Sequence, residues 1–135
     1  IVIDASVWVA SLVVGDAHHE RSRAFLEVAR ERSETLVSPA LVVPEVAGAV
    51  ARRTNSALLA RGAVKAMKLL PVLRLFVMDE TLVDSAARIA ADCGLRGSDA
   101  FYVAVAKRLS VRLVTWDRDQ AKRATSVIDA GPPAP

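Results

Sequence analysis

Four short apolar runs rich in Val, Ile and Leu constrain the fold of this chain more than any other feature. They extend over Ile1 to Asp4, Thr35 to Ser38, Leu73 to Met78 and Arg112 to Trp116. Continuous apolar runs of this length are typical of strands that are buried on both faces. The long segments between them carry Ala, Arg, Glu and Leu at helical spacing, which suits crossover helices better than hairpin turns. The sequence therefore predicts an α/β fold with a parallel sheet covered by helices.

Residues next to the apolar runs indicate where helices begin and end. Helix starts are predicted at Ser6, Pro39, Asp79 and Ser98. Gly94 is the expected C-cap of the helix that follows Asp79, because glycine adopts the left-handed conformation without strain. Each of the predicted starts lies just after a strand or just before a helical repeat of apolar residues. The pattern therefore alternates strands with helices along the whole chain.

The chain length of 135 residues suits a single domain, predicted here for residues 1–130. A short fifth strand is predicted near Ser126 to Ile128, and Gly131 to Pro135 are predicted to form a flexible tail. Two predicted helices, Ala40 to Arg53 and Ala57 to Leu70, lie between strands two and three. Because this pair is longer than one crossover requires, we expect part of it to project as a clip that a partner can bind.

The composition excludes several classes of protein. Apolar residues make up 53% of the chain and charged residues 24%, which predicts an independently folding domain rather than a disordered segment. No apolar stretch approaches the ~18 to 20 uncharged residues that a membrane span needs, so no membrane association is expected. The one cysteine, Cys93, cannot form an internal disulfide and favours a reducing, cytoplasmic location. No P-loop or G-x-G-x-x-G is present, and Ser6 lacks the G-x-S-x-G context of a hydrolase nucleophile.

Four of the 15 acidic residues lie in largely apolar segments, at predicted strand ends or early in predicted helices. They are Asp4, Glu45, Asp99 and Asp117, and we call them the acidic quartet. Each has a structural alternative. Asp4 and Asp117 suit helix N-caps, and Asp99 suits the first turn of a helix through the helix dipole. Glu45 suits an ion pair with an arginine further along its helix.

The topology of a parallel sheet makes the quartet informative as a group. Helices run antiparallel to the strands they connect, so their N-termini gather at the carboxyl edge of the sheet, where all four acids are expected. If strand four joins the free side of strand one, the strand order is 3-2-1-4-5 and reverses between strands one and four. Such a reversal is where open α/β sheets bind ligands. Asp4 and Asp117 would flank it on strands about 4.8 Å apart, whereas Asp79, two strands away, is predicted to be a plain N-cap.

Four carboxylates at this spacing predict a cation. Each negative charge raises the pKa of its neighbours, so the group cannot stay ionised without compensation. Oxygen ligands without histidine or thiolate favour Mg²⁺ or Mn²⁺ over zinc. Such a centre can activate a water molecule and stabilise the charge that develops on a phosphodiester, with one or two metal ions.

Four sequence segments give the chain a family resemblance. They are I-D-A-S at Ile3 to Ser6, S-P-A-L-V-V-P-E-V at Ser38 to Val46, S-D-A-F-Y-V-A-V-A at Ser98 to Ala106 and L-V-T-W-D at Leu113 to Asp117. In residue types, order and spacing, these segments resemble the motifs of the PIN-domain endoribonucleases. Within that family they resemble the VapC toxins of VapBC toxin-antitoxin pairs. The resemblance implies a three-layer α/β/α fold with a mostly parallel sheet of four to five strands.

The resemblance also implies an activity and partners. It implies Mg²⁺-dependent or Mn²⁺-dependent cleavage of RNA by the acidic quartet, with Ser6 and Thr115 as supporting polar groups and Asp119 as a further acid near the metal. It implies a homodimer and a VapB-like antitoxin that docks near the active groove. At Gly48, three residues after Glu45, many relatives carry Asn, so one hydrogen bond beside the metal is expected to be missing.

The charge balance is compatible with an RNA substrate. The 18 basic and 15 acidic residues give a net charge of +3, and with the four quartet acids neutralised 18 basic residues face 11 acidic ones, leaving +7. Scattered basic residues also serve solubility alone. The candidates for RNA contact are Arg52, Arg53, Arg96, Lys107, Arg108, Arg112, Arg118, Lys122 and Arg123.

Several aromatic residues have competing interpretations. Trp8 and Trp116 lie near Asp4 and Asp117, where they suit either core packing or stacking on nucleobases. His18 and His19 adjoin Asp16 and Glu20 in a loop before a predicted helix, where a loop or cap role is favoured over metal binding.

Two other functions remain open from the sequence. A phosphoacceptor signalling domain is also a small α/β protein with a Mg²⁺-binding carboxylate cluster, but it needs a lysine near its phosphorylated aspartate, and Lys107 lies inside a predicted helix. A non-catalytic PIN scaffold is the second alternative, and the complete quartet argues against it.

Overall fold

A five-stranded parallel sheet organises the molecule, and the computed structural model describes residues 1–134 of it. The strands are β1 (Val2–Ile3), β2 (Leu36–Pro39), β3 (Leu73–Phe76), β4 (Leu113–Val114) and β5 (Ala130–Gly131). Their order is β3-β2-β1-β4-β5 and every neighbouring pair is parallel, which confirms the predicted α/β class and the predicted strand order. The strand order therefore reverses between β1 and β4, near the centre of the sheet.

Within residues 1–134, seven helices form the outer layers of an α/β/α arrangement. They are α1 (Ala5–Leu12), α2 (His19–Glu31), α3 (Val42–Thr54), α4 (Ala57–Lys68), α5 (Glu80–Cys93), α6 (Gly97–Leu109) and α7 (Arg118–Ala124). Helix α6 is buried over most of Ala100 to Ala106, because it packs against α5 as well as against β1, β2 and β4. None of the helices in this part of the chain is both long and apolar enough to cross a bilayer.

Aspartates begin three of the helices and fix where the backbone turns. The Asp4 carboxylate accepts a hydrogen bond from the Ser6 backbone N–H at 2.8 Å, and Asp79 does the same from Leu82. Asp117 caps α7 in the same manner. Gly94 ends α5 with φ of 63°, as predicted. The caps confirm that helix N-termini gather at the carboxyl edge of the sheet.

The end of the chain differs from the prediction. Residues 126–128 form no strand, because the N–H groups of Val127 and Ile128 bond back to the Ala124 carbonyl and curl the backbone after α7. The fifth strand follows at Ala130–Gly131, where the Gly131 carbonyl accepts from the N–H of Thr115. Gly131 is therefore part of the sheet and not of a flexible tail. Pro135, also assigned to the tail, lies outside the described residues.

Three helix starts are displaced from their predicted positions. Pro39 ends β2, and α3 begins at Val42. Helix α6 begins at Gly97 rather than Ser98, with Arg96 in the cap position. Helix α1 begins at Ala5, one residue before Ser6, because Asp4 serves as its cap. Shifts of this size are common at helix ends and leave the quartet in place.

Candidate functional site

All four residues of the acidic quartet line one open groove of about 630 Å³ at the carboxyl edge of the sheet. Asp4 follows β1 and Asp117 lies between β4 and α7. Glu45 and Asp99 lie in the first turns of α3 and α6. The predicted convergence of the four acids at one edge is present in the structure.

Asp4 is the most enclosed member of the quartet. It is 7% exposed, and its Oδ2 accepts hydrogen bonds from the Ser6 N–H at 2.8 Å and from Thr115 Oγ1 at 3.2 Å. Its Oδ1 faces Gln120 Nε2 at 3.4 Å. Asp4 is therefore both the N-cap of α1 and a groove-lining carboxylate, so its two interpretations from the sequence are compatible. Every one of these donors is neutral.

Glu45 is held by a buried tyrosine rather than by an arginine of its own helix. Tyr102 Oη donates to Glu45 Oε2 at 2.5 Å. Burial raises the pKa of Glu45, the tyrosine hydrogen bond opposes that rise, and the charges of Asp4 and Asp99 add to it. Burial and the charges of Asp4 and Glu45 raise the pKa of Tyr102 far above its ordinary value, so its hydroxyl keeps the proton that it donates.

Asp99 and Asp117 are bridged by one arginine. Arg96 Nε donates to Asp99 Oδ2 at 2.7 Å, and Arg96 Nη2 donates to Asp117 Oδ2 at 3.0 Å. Burial raises the pKa of Asp99 even though Arg96 acts to lower it. The arginine side chain is 73% exposed, so it reaches the two carboxylates from the solvent side of the groove.

Ser6 and Thr115 connect the two sides of the groove. The Ser6 and Thr115 hydroxyl oxygens lie 3.4 Å apart, and Ser6 Oγ accepts from the Trp116 N–H at 3.0 Å. Thr115 Oγ1 donates to Asp4 and accepts from the Asp117 N–H at 3.0 Å. Both residues therefore support the quartet by positioning its backbone and carboxylates.

Asp119 is not brought into the groove. Its side chain is 70% exposed and its Oδ2 pairs with Arg123 Nε at 2.7 Å, one turn along α7. Its spacing of two residues from Asp117 turns it to another face of the helix.

Sequence reasoning missed three residues of the site. Arg96 was predicted only as an RNA contact, and Tyr102 only as part of a motif. Tyr102 lies three residues after Asp99 and thus on the same side of α6, which is the signal that points to it. Gln120 is 1% exposed, its Nε2 also faces the Asp99 carbonyl at 3.4 Å, and its Oε1 has no hydrogen-bond partner. A buried polar residue early in a short helix is too common a pattern to indicate this role.

The four side chains of the quartet offer carboxylate oxygens, which are the ligands that a hard divalent cation prefers. Among residues 1–134, however, no three His, Cys, Asp or Glu side chains are arranged to hold one ion. On one side of the groove Arg96 holds two of the four carboxylates. Binding of a cation by the whole quartet requires Asp99 and Asp117 to release that arginine.

The basic residues predicted to contact RNA divide between the groove and the rest of the surface. Those that line the groove are Arg52, Arg53 and Arg96. Three others form ion pairs elsewhere, namely Arg108 with Asp79, Arg112 with Asp129 and Arg123 with Asp119. At Gly48 a Cβ atom would lie 3.0 Å from Arg52 Nη1, so glycine gives this guanidinium room beside the helix. Positive charge is therefore concentrated at the groove mouth by three arginines.

The two tryptophans have different environments. Trp8 is 1% exposed and donates from Nε1 to Ser38 Oγ at 3.0 Å, so it belongs to the core. Trp116 is half-buried, and the His18 ring stacks on it. His18 occupies the cap position of α2 without a side-chain capping bond.

The fold and site together define an open-sheet α/β protein with a carboxylate cluster at the topological switch point. The profile of the PIN domain family matches residues 1–125, and the chain belongs to that family. Proteins of this family are generally nucleases. Among curated proteins, none matches the chain in sequence at a significant level.

Solved structures with the same fold support this assignment. VapC20 of Mycobacterium tuberculosis, a sarcin-ricin loop cleaving toxin, is 21% identical with a TM-score of 0.76, over 90% of this chain and 92% of that one. FitAcB of Neisseria gonorrhoeae is 22% identical with a TM-score of 0.73, over 98% and 96%. VapBC2 of Rickettsia felis, bound to a DNA fragment from its promoter, is 12% identical with a TM-score of 0.72, over 96% of both chains. At these identities the likeness concerns the fold.

Proposed function

We propose that this chain is an Mg²⁺-dependent or Mn²⁺-dependent endoribonuclease and the toxin of a type II toxin-antitoxin pair. The observation that carries the proposal is the acidic quartet in an open groove whose mouth bears three arginines. An open rim admits a polymer backbone, whereas a small-ester hydrolase usually encloses its substrate. Membership of the PIN family favours this function over a phosphoacceptor domain.

The residues of the groove have separable roles in this proposal. Asp4, Glu45, Asp99 and Asp117 would hold the cation, which when bound polarises the phosphodiester and lowers the pKa of a water molecule. Tyr102 keeps the Glu45 carboxylate in place by its hydrogen bond.

Arginines at the groove mouth serve the substrate. Arg52 and, once it leaves the quartet, Arg96 are exposed and free to attract the phosphate backbone. Arg53 also pairs with Asp16, which ties α3 to the loop before α2. Such attraction carries no sequence information, so we expect selectivity to come from unpaired bases.

The proposed partners are an RNA, a VapB-like antitoxin and a second copy of the chain. The structures with which the fold is shared include VapBC2 and FitAcB. Helix α4 exposes Leu58 by 73% and Leu59 by 58%, which supports an apolar contact surface on the α3–α4 pair. An antitoxin would inhibit most directly by placing a basic side chain among the quartet carboxylates, where Arg96 shows that a guanidinium fits. A strictly monomeric chain at micromolar concentration would count against the homodimer.

Mapping of cleavage sites on total RNA tests the proposed activity. We expect cuts in single-stranded or loop RNA that need Mg²⁺ or Mn²⁺, weaken with added salt and disappear in the Asp4→Asn variant. Turnover of a small phosphomonoester far above RNA cleavage, without salt dependence, would instead indicate a phosphatase. Absence of any cleavage by a folded, metal-loaded chain would leave the non-catalytic PIN scaffold.

A further inference from the structure

A second cavity of about 320 Å³ opens directly beside the quartet groove and shares Asp117 with it. Its volume falls within the range of small-ligand sites. The residues that give it its character are His18, Arg21, Trp116, Arg118 and Pro132. The lining combines aromatic rings, cationic side chains and backbone, unlike the carboxylate-rich groove next to it.

The aromatic part of this cavity is a fixed platform. The His18 and Trp116 rings stack with centroids 3.9 Å apart and planes at 7°. Trp116 Nε1 donates to the buried Ser22 Oγ at 2.8 Å, which sets the orientation of the indole. The Arg21 guanidinium lies 4.9 Å from the indole centroid. A planar, electron-rich platform with a cation beside it is the arrangement on which nucleobases stack.

The positive charge of the cavity also suits a nucleic acid strand. Within residues 1–134, Arg21 and Arg118 take part in none of the ion pairs, and both are exposed. Arg118 follows Asp117 directly in the chain and lines the cavity but not the groove. Two unpaired guanidinium groups attract a phosphate backbone on the path from one to the other.

We infer that the cavity binds one unpaired nucleobase of the RNA whose phosphate lies in the quartet groove. Because the two sites share Asp117, this base belongs to a nucleotide at or next to the phosphate that is cut. The inference rests on the proposed ribonuclease function and adds a subsite for substrate selection, in which the base extends the His18–Trp116 stack on its outer side.

A binding experiment without cleavage tests the subsite. The full metal-free chain is titrated with a short single-stranded RNA of mixed sequence and with the same RNA made abasic at each position in turn. We expect one abasic position to weaken binding about 10-fold, the usual contribution of a stacked base. Trp116→Leu should abolish that difference, whereas Trp116→Phe, which keeps an aromatic face, should retain most of it.

Two further variants protect the test against a folding defect. His18→Ala removes one ring of the platform without touching the Trp116–Ser22 hydrogen bond, and it should also reduce the abasic penalty. Arg61→Gln removes an exposed charge on α4, outside both sites, and should leave the penalty unchanged. An undiminished penalty in both Trp116→Leu and His18→Ala overturns the inference.

Failure of the base-binding site can be distinguished from failure of the proposed ribonuclease function. A penalty that depends on Trp116 in a chain that cuts no RNA supports the base site and contradicts the nuclease. RNA cleavage by a chain that shows no abasic penalty at any position overturns the base site alone and leaves the cavity to a protein partner.

Discussion

Asp4 and Glu45 differ from Asp99 and Asp117 in what holds their carboxylates. The first pair accepts hydrogen bonds from neutral donors, among them the hydroxyl groups of Thr115 and Tyr102. The second pair is bridged by the guanidinium of one arginine that is mostly exposed. Neutral donors fix the position of an oxygen and leave its charge in place, whereas a cation also compensates the charge.

The difference assigns different properties to the two halves of the groove. The carboxylates of Asp4 and Glu45 are held in place by neutral donors, with no ion pair of their own among the described residues. The half around Asp99 and Asp117 has its own cation, Arg96, which must leave before a metal ion can be shared by all four. In the proposed metal-bound state, an ion would add to one half and replace a side chain in the other.

Removal of any quartet carboxylate should have the largest effect. We expect Asp4→Asn, Glu45→Gln, Asp99→Asn and Asp117→Asn each to lower Mg²⁺-dependent RNA cleavage by more than about 100-fold, since loss of a ligand exceeds loss of its supporting hydrogen bonds. The rate on one fixed RNA measures this. Full activity in any two of the variants would contradict the site assignment for both halves.

The melting temperatures of the same four variants in EDTA should distinguish the two halves of the groove. Glu45→Gln relieves repulsion by Asp4 and Asp99 that the charge of Arg96 only partly offsets, so we expect its melting temperature to match or exceed that of the unsubstituted chain. Asp117→Asn loses a partner of Arg96 and should gain less. A lower melting temperature for every variant in EDTA would favour a purely structural role for the quartet.

Tyr102→Phe removes a single hydroxyl group from the half of the groove that contains Asp4 and Glu45. The hydroxyl that donates to Glu45 disappears while the buried ring remains, so the carboxylate loses its orientation. We expect metal affinity to fall about 10-fold to 100-fold, as for other hydrogen bonds that orient metal ligands. Titration with Mn²⁺ measures the change, and circular dichroism controls for the fold. Unchanged affinity would show that Glu45 is positioned without the tyrosine.

Arg96→Gln changes the half of the groove that contains Asp99 and Asp117, and it should raise metal affinity rather than lower it. Without the guanidinium, Asp99 and Asp117 are free to accept a cation, so Mn²⁺ affinity should rise several-fold. The effect on the stability of the metal-free chain should be small because the ion pairs are formed by an exposed side chain. Arg61→Gln, which removes a distant charge, is the matched control. Equal or weaker Mn²⁺ binding by Arg96→Gln would show that the arginine does not compete with the cation.

The smallest expected effect is a pH dependence of stability. Glu45 and Asp99 have raised pKa values, so near their titration the folded chain binds more protons than the unfolded chain. In EDTA the free energy of unfolding should therefore fall as pH rises from the ordinary values of 4.5 and 3.8 through the raised ones. Denaturant unfolding followed upward from pH 3.8, the ordinary pKa of the aspartate, measures this slope. Glu45→Gln should make it shallower, and an unchanged slope would contradict the raised pKa of Glu45.

Much of this architecture follows from local patterns in the sequence. The apolar runs predicted the parallel strands, and the positions of Asp4 and Asp117 after two of them predicted their meeting at one edge. The prediction succeeded because a parallel sheet leaves little choice about where its helices start. The fifth strand was misplaced because a two-residue strand has no periodicity of its own.

The sequence by itself determined the parallel strands and the four acids that meet at the sheet edge, since both depend on periodicity and chain direction. The strand order followed only on the condition that strand four joins strand one, which the structure confirms. Only the tertiary structure decided which group each acid contacts. Tyr102 and Glu45 are 57 positions apart, and Thr115 and Asp4 are 111 apart. Such contacts depend on the rotation of each helix and on side-chain rotamers, which are fixed by packing across the whole core and leave no signal in the neighbouring residues.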